Sequence, residues 1–505
     1  MLRRLLFRKW LLIIGGILAA AGVFGGLVYW HIREEEREAR TAWESYRAAA
    51  EKRGAKLFMR DFVPPDVPEV ENYAAIPLIR AMFDERKPGV DSSAPFAFPK
   101  GKDQPKLTNI AAGEGTDLGA WRAYFVKFKL LAAATEDVPG DMLRALEKFE
   151  QRLQQLRNAT PRPRCKFPTH WESGMDARLP HLPHLLGAAK IFALRMEVLL
   201  ANGDNARALS EFFHGTRLRE ALVAEPTVIV ALTRCNMLFR LEGAVWYGLA
   251  AHRWTGDDLA AIEERFAGVR LHDEFETAWE SERGTVPEWL LNLTAKSSKE
   301  ILRSLERSER SSDDGSDEPV RLFPYLGKKG VLYENLRAMH EGIDAMLAPY
   351  KVMHDNEKVM TLSSSFSRNS WIASRAAKAG KPVEYYALAR MFLSPFDKTG
   401  KKFFETQTSL QQTLLACALE RFWIKHRAFP EKLDELVPQF IAGVPLDIAD
   451  GKPLRYRRNA DGGYDLWSIG EDRKDDGGKF DPQKTAYEQA DWIWHMPGSA
   501  AGKQL

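Results

Sequence analysis

The chain has 505 residues, which is enough for about two to four domains of ordinary size. Apolar residues make up 45% of it and charged residues 28%, as in a typical globular protein, and the formal net charge of +3 excludes the broad basic field that nucleic-acid binding needs. Its three cysteines, Cys165, Cys235 and Cys417, are widely spaced and odd in number, so they predict neither a disulfide framework nor a CxxC motif.

The N-terminus predicts a single membrane anchor. Residues 1–9 carry four basic side chains and no acid, and residues 10–30 carry no charge at all. As a helix, this apolar stretch is roughly 30 Å long and would lie in a lipid bilayer, with Trp10 and Trp30 at the two interfaces. Because Lys and Arg resist translocation, we expect a cytoplasmic N-terminus in the inner (plasma) membrane and a periplasmic or extracytoplasmic body.

A cleaved signal peptide is the alternative to the anchor. Ala19 and Ala21 form an A-x-A match, but the apolar run continues past it and exceeds the usual h-region of about 7–15 residues. We therefore favour an uncleaved anchor. Gly22 and Gly26 form a GxxxG pair, which either brings two membrane helices together or reflects the general abundance of glycine in such helices.

Helical patterns dominate the chain after the anchor. Residues 33–60 are rich in Glu, Arg and Ala and predict a helical stalk. Prolines then indicate an extended linker, followed by a surface loop over 87–110 and a helix over 134–157. Residues 182–295 form a series of amphipathic segments that predicts a helical-hairpin array, which would present its surface to a protein partner.

The C-terminal residues change from helical to strand-like patterning. A long apolar-faced helix is followed by "PLRYRR" and "YDLWSIG", which alternate like strands around the hairpin signal "NADGG", and then by the aromatic strand "DWIW". This order predicts an α+β module with a three-stranded antiparallel meander. The expected fold class is mainly α, with a transmembrane helix, an extracytoplasmic helical-hairpin array and this module at the end.

Changes in composition divide the chain into seven expected segments. They are a basic tip with the anchor (1–32), the stalk (33–60), linker, loops and a helix (61–181), the hairpin array (182–295), a flexible charged linker (296–320), a helical segment (321–400) and the α+β module (401–505).

The C-terminal order resembles the globular end of the major pseudopilin of type II secretion systems. The matching stretches are "ALERFWIKHRAFPEKLDELVP", "DGKPLRYRR", "GGYDLWSIGED" and "DWIW". In that family the loop after the second strand binds calcium through a backbone carbonyl and acidic side chains. The resemblance implies a calcium site formed by the carbonyl of Ile469 and the carboxylates of Asp472 and Asp481. The whole chain also resembles a class of bacterial membrane-anchored proteins, which implies no particular activity.

The residue types of this loop are suited to calcium binding, independently of the resemblance. Asp475 and Asp476 could add oxygens to the about six to eight that calcium takes, and Gly477 and Gly478 would allow a tight backbone. The spacing is not that of an EF-hand, and acidic loops with glycine are commonly solvated turns. Both interpretations stay open on the sequence.

A second candidate site combines Cys165 with His170, His181 and His184. Cysteine and histidine are zinc ligands, but the irregular spacing is equally typical of structural histidines around a buried thiol. The sequence contains no GxSxG, SxxK, HExxH or P-loop pattern, so we assign no catalytic residue and leave enzymatic activity open.

These observations favour a membrane-anchored interaction or scaffold protein of the cell envelope, with a calcium-stabilised C-terminal module. One alternative is a component of a secretion- or pilus-like assembly, which depends on the pseudopilin resemblance. A further alternative is a hydrolase with a metal site at the Cys165 cluster.

Overall fold

The computed structural model describes residues 2–84, 95–99, 101, 103–294, 300, 329–355, 367–393, 396–481 and 489–498. This part of the chain is mainly helical and contains one small antiparallel sheet near the C-terminus. The expected mainly helical class and the three-stranded meander are therefore confirmed.

Fourteen α-helices and three strands lie in the described ranges. The helices are α1 (Leu2–Lys52), α2 (Pro77–Met82), α3 (Leu118–Lys127), α4 (Val138–Leu146), α5 (Glu150–Ala159), α6 (His181–Ala201), α7 (Asn205–Ala221), α8 (Val228–Ala250), α9 (Gly256–Ala267), α10 (Leu271–Thr294), α11 (Lys329–Asp355), α12 (Arg368–Ala379), α13 (Ala387–Phe392) and α14 (Phe396–His426). The strands are β1 (Arg455–Arg458), β2 (Tyr464–Ser468) and β3 (Trp492–Met496).

The first helix joins the apolar N-terminus to the charged stalk without a break. The side chains described between residues 10 and 30 are all exposed, and this helix is the one in the described ranges that is long and apolar enough to cross a membrane. The helix ends at Lys52, and Gly54 then adopts a positive φ of 81°, which glycine tolerates without steric cost. The stalk helix is therefore shorter than the predicted range of 33–60.

The stalk is not free but packs along α11. Trp43 is 2% exposed, and its ring lies 5.0 Å from that of His340. One turn further along, the Tyr46 hydroxyl donates a hydrogen bond of 2.8 Å to Asp344. Gly330 allows the start of α11 to approach the backbone of Glu35 closely, since an added Cβ would lie 3.2 Å from its carbonyl oxygen. The two helices therefore run parallel, and the helical body begins close to the end of the apolar segment.

Helices α6, α7 and α8 pack against one another in the middle of the chain. Asp204 caps α7 by accepting a hydrogen bond from the Arg207 amide, which separates α7 from α6 at a short turn. The predicted helix over 134–157 is instead two helices, α4 and α5, with one 3₁₀ turn between them. Asp137 caps α4 and Pro139 occupies its first turn, so that helix begins later than predicted.

One hydrophobic core connects the stalk, the middle helices and the C-terminal sheet. It extends from Trp43 through Trp246 of α8 to Trp494 of β3. The α14 helix packs against α8 and α9 as well as β3. A stacked contact joins these parts, with the ring of His252 lying 3.7 Å from that of Trp423. The C-terminal module is thus anchored on the helical body through buried aromatic surface.

The sheet has the order β1-β2-β3, with both neighbouring pairs antiparallel. Every residue of the central strand β2 is buried. The α14 helix fixes the outer strand, because the Gln412 amide donates a hydrogen bond of 2.8 Å to the Trp492 carbonyl. The predicted charged linker over 296–320 lies outside the described residues except for residue 300.

Candidate functional site

The acidic loop, residues 469–481, begins at a rigid point directly after β2. The buried Asp447 carboxylate accepts hydrogen bonds from the Ser468 hydroxyl (2.6 Å) and the Ile469 amide (3.0 Å). Arg455 of β1 donates to the same carboxylate and also pairs with Asp450. Ile469 is itself buried, so the predicted carbonyl ligand lies at the best-fixed position of the loop.

The middle of the loop is a series of tight turns. Asp472 is exposed and accepts a hydrogen bond from the Lys474 amide at 3.0 Å. Asp475 accepts from the Trp467 indole (2.9 Å) and the Gly477 amide (3.0 Å), and the indole bond lowers the pKa of that carboxyl. Gly478 has a positive φ of 64° and an added Cβ would lie 2.8 Å from the Trp467 ring, so this turn requires glycine.

Asp491, which lies beyond the acidic loop and contacts it, is the residue that sequence reasoning missed. It directly precedes β3 and is 1% exposed, and its Oδ2 accepts a hydrogen bond of 2.8 Å from the Gly478 amide. Its Oδ1 is buried and has no hydrogen-bond partner among the described residues. Burial raises the pKa of this carboxyl, the backbone amides of Gly478 and Asp476 partly oppose that rise, and the charges of Asp475 and Asp476 add to it to a smaller extent. A cation or a proton at Oδ1 would relieve that cost.

The far end of the loop is closed by a reciprocal pair of hydrogen bonds. The Asp481 amide donates to the Gln489 side chain at 3.0 Å, and that side chain donates back to the Asp481 carbonyl at 2.8 Å. Within the described ranges, no group of three or more His, Cys, Asp or Glu side chains is placed to hold a metal ion. The exposed Asp476 and the other predicted carboxylates are thus near one another in the chain without forming a ready-made cage.

The structure gives each member of the second candidate cluster a different environment. Cys165 is buried, which raises the pKa of its thiol to about 12. His170 is exposed and lies 3.0 Å from Glu172. Burial, followed by the charge of His181, lowers the pKa of His184. These are the surroundings of a buried thiol and of separate histidines, and the described part of the chain holds no metal-binding group here either.

His181 belongs to a buried chain of contacts. Its Nε2 lies 2.6 Å from a Glu225 carboxylate oxygen, and the other oxygen accepts a hydrogen bond of 2.6 Å from the Thr169 hydroxyl. Phe83 and Phe167 stack on the imidazole with centroid distances of 5.0 and 4.3 Å. This arrangement fixes two aromatic rings at the wall of a cleft.

Comparison with known proteins yields no relative: no protein-family model matches the chain, and no curated protein or solved structure is detectably similar to it. The class of the protein therefore follows from its own features. It is a mainly α-helical protein with a small antiparallel sheet and one N-terminal helix that could cross a membrane, a property that anchors and signal sequences share.

Proposed function

We propose that this chain is a single-pass protein of the bacterial inner membrane, with a cytoplasmic N-terminus and an extracytoplasmic body that acts as a scaffold for a protein partner. The observation that carries the proposal is the continuity of α1. This helix is apolar over residues 10–30, where the described side chains are exposed, and it packs on α11 through Trp43. Cleavage after Ala21 would leave the apolar residues 22–30 in water at a new N-terminus, which favours an uncleaved anchor.

Reporter fusions to the C-terminus test this topology. We expect the alkaline phosphatase fusion to be active and the green fluorescent protein fusion to be non-fluorescent. The full-length chain should be found in the membrane fraction. The substitution Phe24→Arg should reduce membrane insertion, because a mid-span arginine costs about 2.5–3.5 kcal/mol, whereas Phe24→Leu should not. A soluble, shortened periplasmic product from the unsubstituted chain would contradict the anchor.

The scaffold role is supported by exposed apolar side chains on the otherwise well-packed helices in the middle of the chain. Helices α6 and α8 are buried along most of their length. The connection before α8 and the first turn of α8 nevertheless expose apolar side chains, namely Val223 (46%) and Ile229 (53%). Photo-crosslinking at Ile229 tests the role. We expect one discrete adduct at this position and none at the exposed Glu147, and no adduct at either position would count against a partner on this surface.

We also propose that the acidic loop binds calcium with Asp491 as its buried ligand. The unpartnered Oδ1 of the buried Asp491 and the nearby exposed carboxylates of Asp475 and Asp476 support this, because a divalent cation offsets the repulsion between like charges. The ion would tie the loop to β3 and so stiffen the module. Asp472 and Asp481, expected from the pseudopilin resemblance, remain proposed ligands together with the Ile469 carbonyl. Calcium titration of the full chain tests this proposal.

A further inference from the structure

A cleft of about 530 Å³ lies where the linker after the stalk meets the segment before α6. Its walls include the apolar side chains of Phe83 and Phe167. Its charged lining consists of two carboxylates and two cations, namely Asp66, Asp84, Arg80 and Lys166. This volume lies within the range of about 300–1,000 Å³ typical of small-molecule pockets. None of these residues belongs to the acidic loop.

The two sides of the cleft are joined by the partly buried side-chain amide of Asn72. The Asn72 side chain donates to the Lys166 carbonyl (2.9 Å) and accepts from the amides of Lys166 (2.9 Å) and Ala74 (3.0 Å). The Tyr73 amide donates to the Arg164 carbonyl at 2.8 Å. Two segments about ninety residues apart in sequence are therefore held in register, so the cleft is a built feature of the fold.

The aromatic rings of the cleft are held in place by a buried histidine. Phe83 and Phe167 stack on His181, and the hydrogen bond to Glu225 holds that imidazole in place. Rings that are already ordered lose little conformational freedom when a ligand packs on them, which favours binding. His181 is thus a positioning residue. The surface offered to a ligand is chiefly the partly buried Phe83, because Phe167 is 2% exposed and packs behind the wall.

At the rim of the cleft, the exposed carboxylate of Asp66 pairs with the less exposed ammonium of Lys166. The Lys166 ammonium lies 2.6 Å from an Asp66 oxygen, and the Asp66 side chain is fully exposed while that of Lys166 is about one-quarter exposed. Exposed ion pairs contribute little to stability, so another oxyanion could replace Asp66 at low cost. Arg80 offers a second cation on the same lining, although it also pairs with Glu69.

We propose that this cleft binds a small amphipathic organic anion. Its carboxylate or similar oxyanion takes the place of Asp66 on Lys166, with Arg80 as the second cation. Its apolar body packs against Phe83, which is held in place by the buried His181 behind it. The Asp66 carboxylate then acts as an internal competitor for the ligand. This competition predicts opposite effects for the two partners of one ion pair.

The test measures binding of 2-naphthoate to the full chain in lipid nanodiscs by isothermal titration calorimetry, with empty nanodiscs as the blank. We expect Lys166→Gln to weaken binding about tenfold or more, since one charge-assisted contact is lost. Asp66→Asn should tighten binding several-fold. Phe83→Leu should weaken it without changing its salt dependence, and neutral 2-naphthalenemethanol should bind at least about tenfold more weakly than the anion.

The matched control is the exposed Lys127–Asp103 pair, which has the same separation of 2.6 Å and lies elsewhere on the surface. Lys127→Gln and Asp103→Asn should leave the affinity unchanged. Thermal midpoints equal to that of the unsubstituted protein verify folding of each variant. Equal affinities for Lys166→Gln and the control variants, failure of Asp66→Asn to tighten binding, or absence of naphthoate binding would each overturn the proposal.

Discussion

Two buried carboxylates hold the acidic loop, Asp447 at its start and Asp491 at Gly478, but they differ in how many hydrogen bonds they accept. Asp447 accepts hydrogen bonds from Ser468 and Ile469 and pairs with Arg455. Asp491 accepts one from Gly478, and its other oxygen has no hydrogen-bond partner in the described ranges. A buried charge is costly unless it is paired, so the first carboxylate is a structural anchor and the second is suited to a cation.

The largest expected effect is the loss of the satisfied carboxylate. Asp447→Ala should destabilise the protein by about 3–5 kcal/mol, because it leaves the Ser468 hydroxyl and the amides of Ile469 and Ala449 without their acceptor. It also removes one of the two carboxylates to which the Arg455 guanidinium donates. Denaturant unfolding followed by tryptophan fluorescence measures the change. Asp450→Ala, which removes the more exposed partner of the same arginine, is the control and should cost clearly less. If Asp447→Ala lowered the free energy of unfolding by less than about 1 kcal/mol, the distinction between the two carboxylates would not hold.

Calcium should act at the unsatisfied carboxylate. At a hundredfold excess over Kd, binding to the folded state stabilises it by about 2.7 kcal/mol, which raises the thermal midpoint of a chain of this size by a few degrees. Asp491→Asn should abolish this rise without destabilising the calcium-free protein, because it removes a carboxylate that burial disfavours. The exposed Asp434→Asn is the control and should retain the full response.

Two results would contradict the calcium proposal: no rise for the unsubstituted chain, or an equal rise for Asp491→Asn. The same measurement on Asp472→Asn and Asp481→Asn tests the ligands expected from the pseudopilin resemblance. A response kept by both variants would restrict the side-chain ligands to Asp491 and its neighbours Asp475 and Asp476.

A third buried carboxylate extends the comparison to the helical body. Glu242 of α8 accepts a hydrogen bond from Ser409, and its other oxygen has no hydrogen-bond partner among the described residues. Burial raises its pKa from 4.5 to about 8, and the Ser409 bond and the charges of Lys402 and Arg219 only partly oppose this. The folded state therefore binds this proton more tightly than the unfolded state does.

The sign of the pH dependence follows from that shift. The contribution of Glu242 to stability is complete below about pH 4.5 and is lost as the pH rises through the folded pKa of about 8, by up to about 1.4 kcal/mol per pH unit. Glu242→Gln should flatten the dependence of the unfolding free energy on pH over this interval. The gain in unfolding free energy over the unsubstituted protein should be largest near pH 8. Denaturant unfolding at several pH values measures the profile, and unchanged slopes in the two proteins would argue against a buried neutral Glu242.

The sequence predicted the elements that depend on local patterning. The uncharged run at the N-terminus predicted the long apolar helix, and alternation around "NADGG" predicted the meander from Arg455 to Met496. Asp491 could not be recognised in this way, because the burial of its carboxylate and its hydrogen bond depend on Gly478, thirteen residues away, and on the loop that covers it. The only local signal was an aspartate directly before an aromatic strand.

The cleft was equally inaccessible to sequence reasoning. Its two walls come from a proline-rich linker and an irregular Cys- and His-containing segment far apart in the sequence, and the hydrogen bonds of Asn72 join them. His181 is a candidate metal ligand by residue type, whereas its observed partners are Glu225 and two phenylalanine rings. Residue type suggested the chemistry of the imidazole, but only its neighbours defined its role.

The sequence by itself determined the apolar N-terminal segment, the helical character of the body and the strand order at the end, because these follow from composition and from periods of 3.6 and 2 residues. Only the tertiary structure decided that the stalk packs along α11, that one core joins the middle helices to the sheet, and which buried carboxylates are satisfied. Those properties depend on contacts between residues far apart in the chain, whose energies are set by burial and by the partners that folding places within reach.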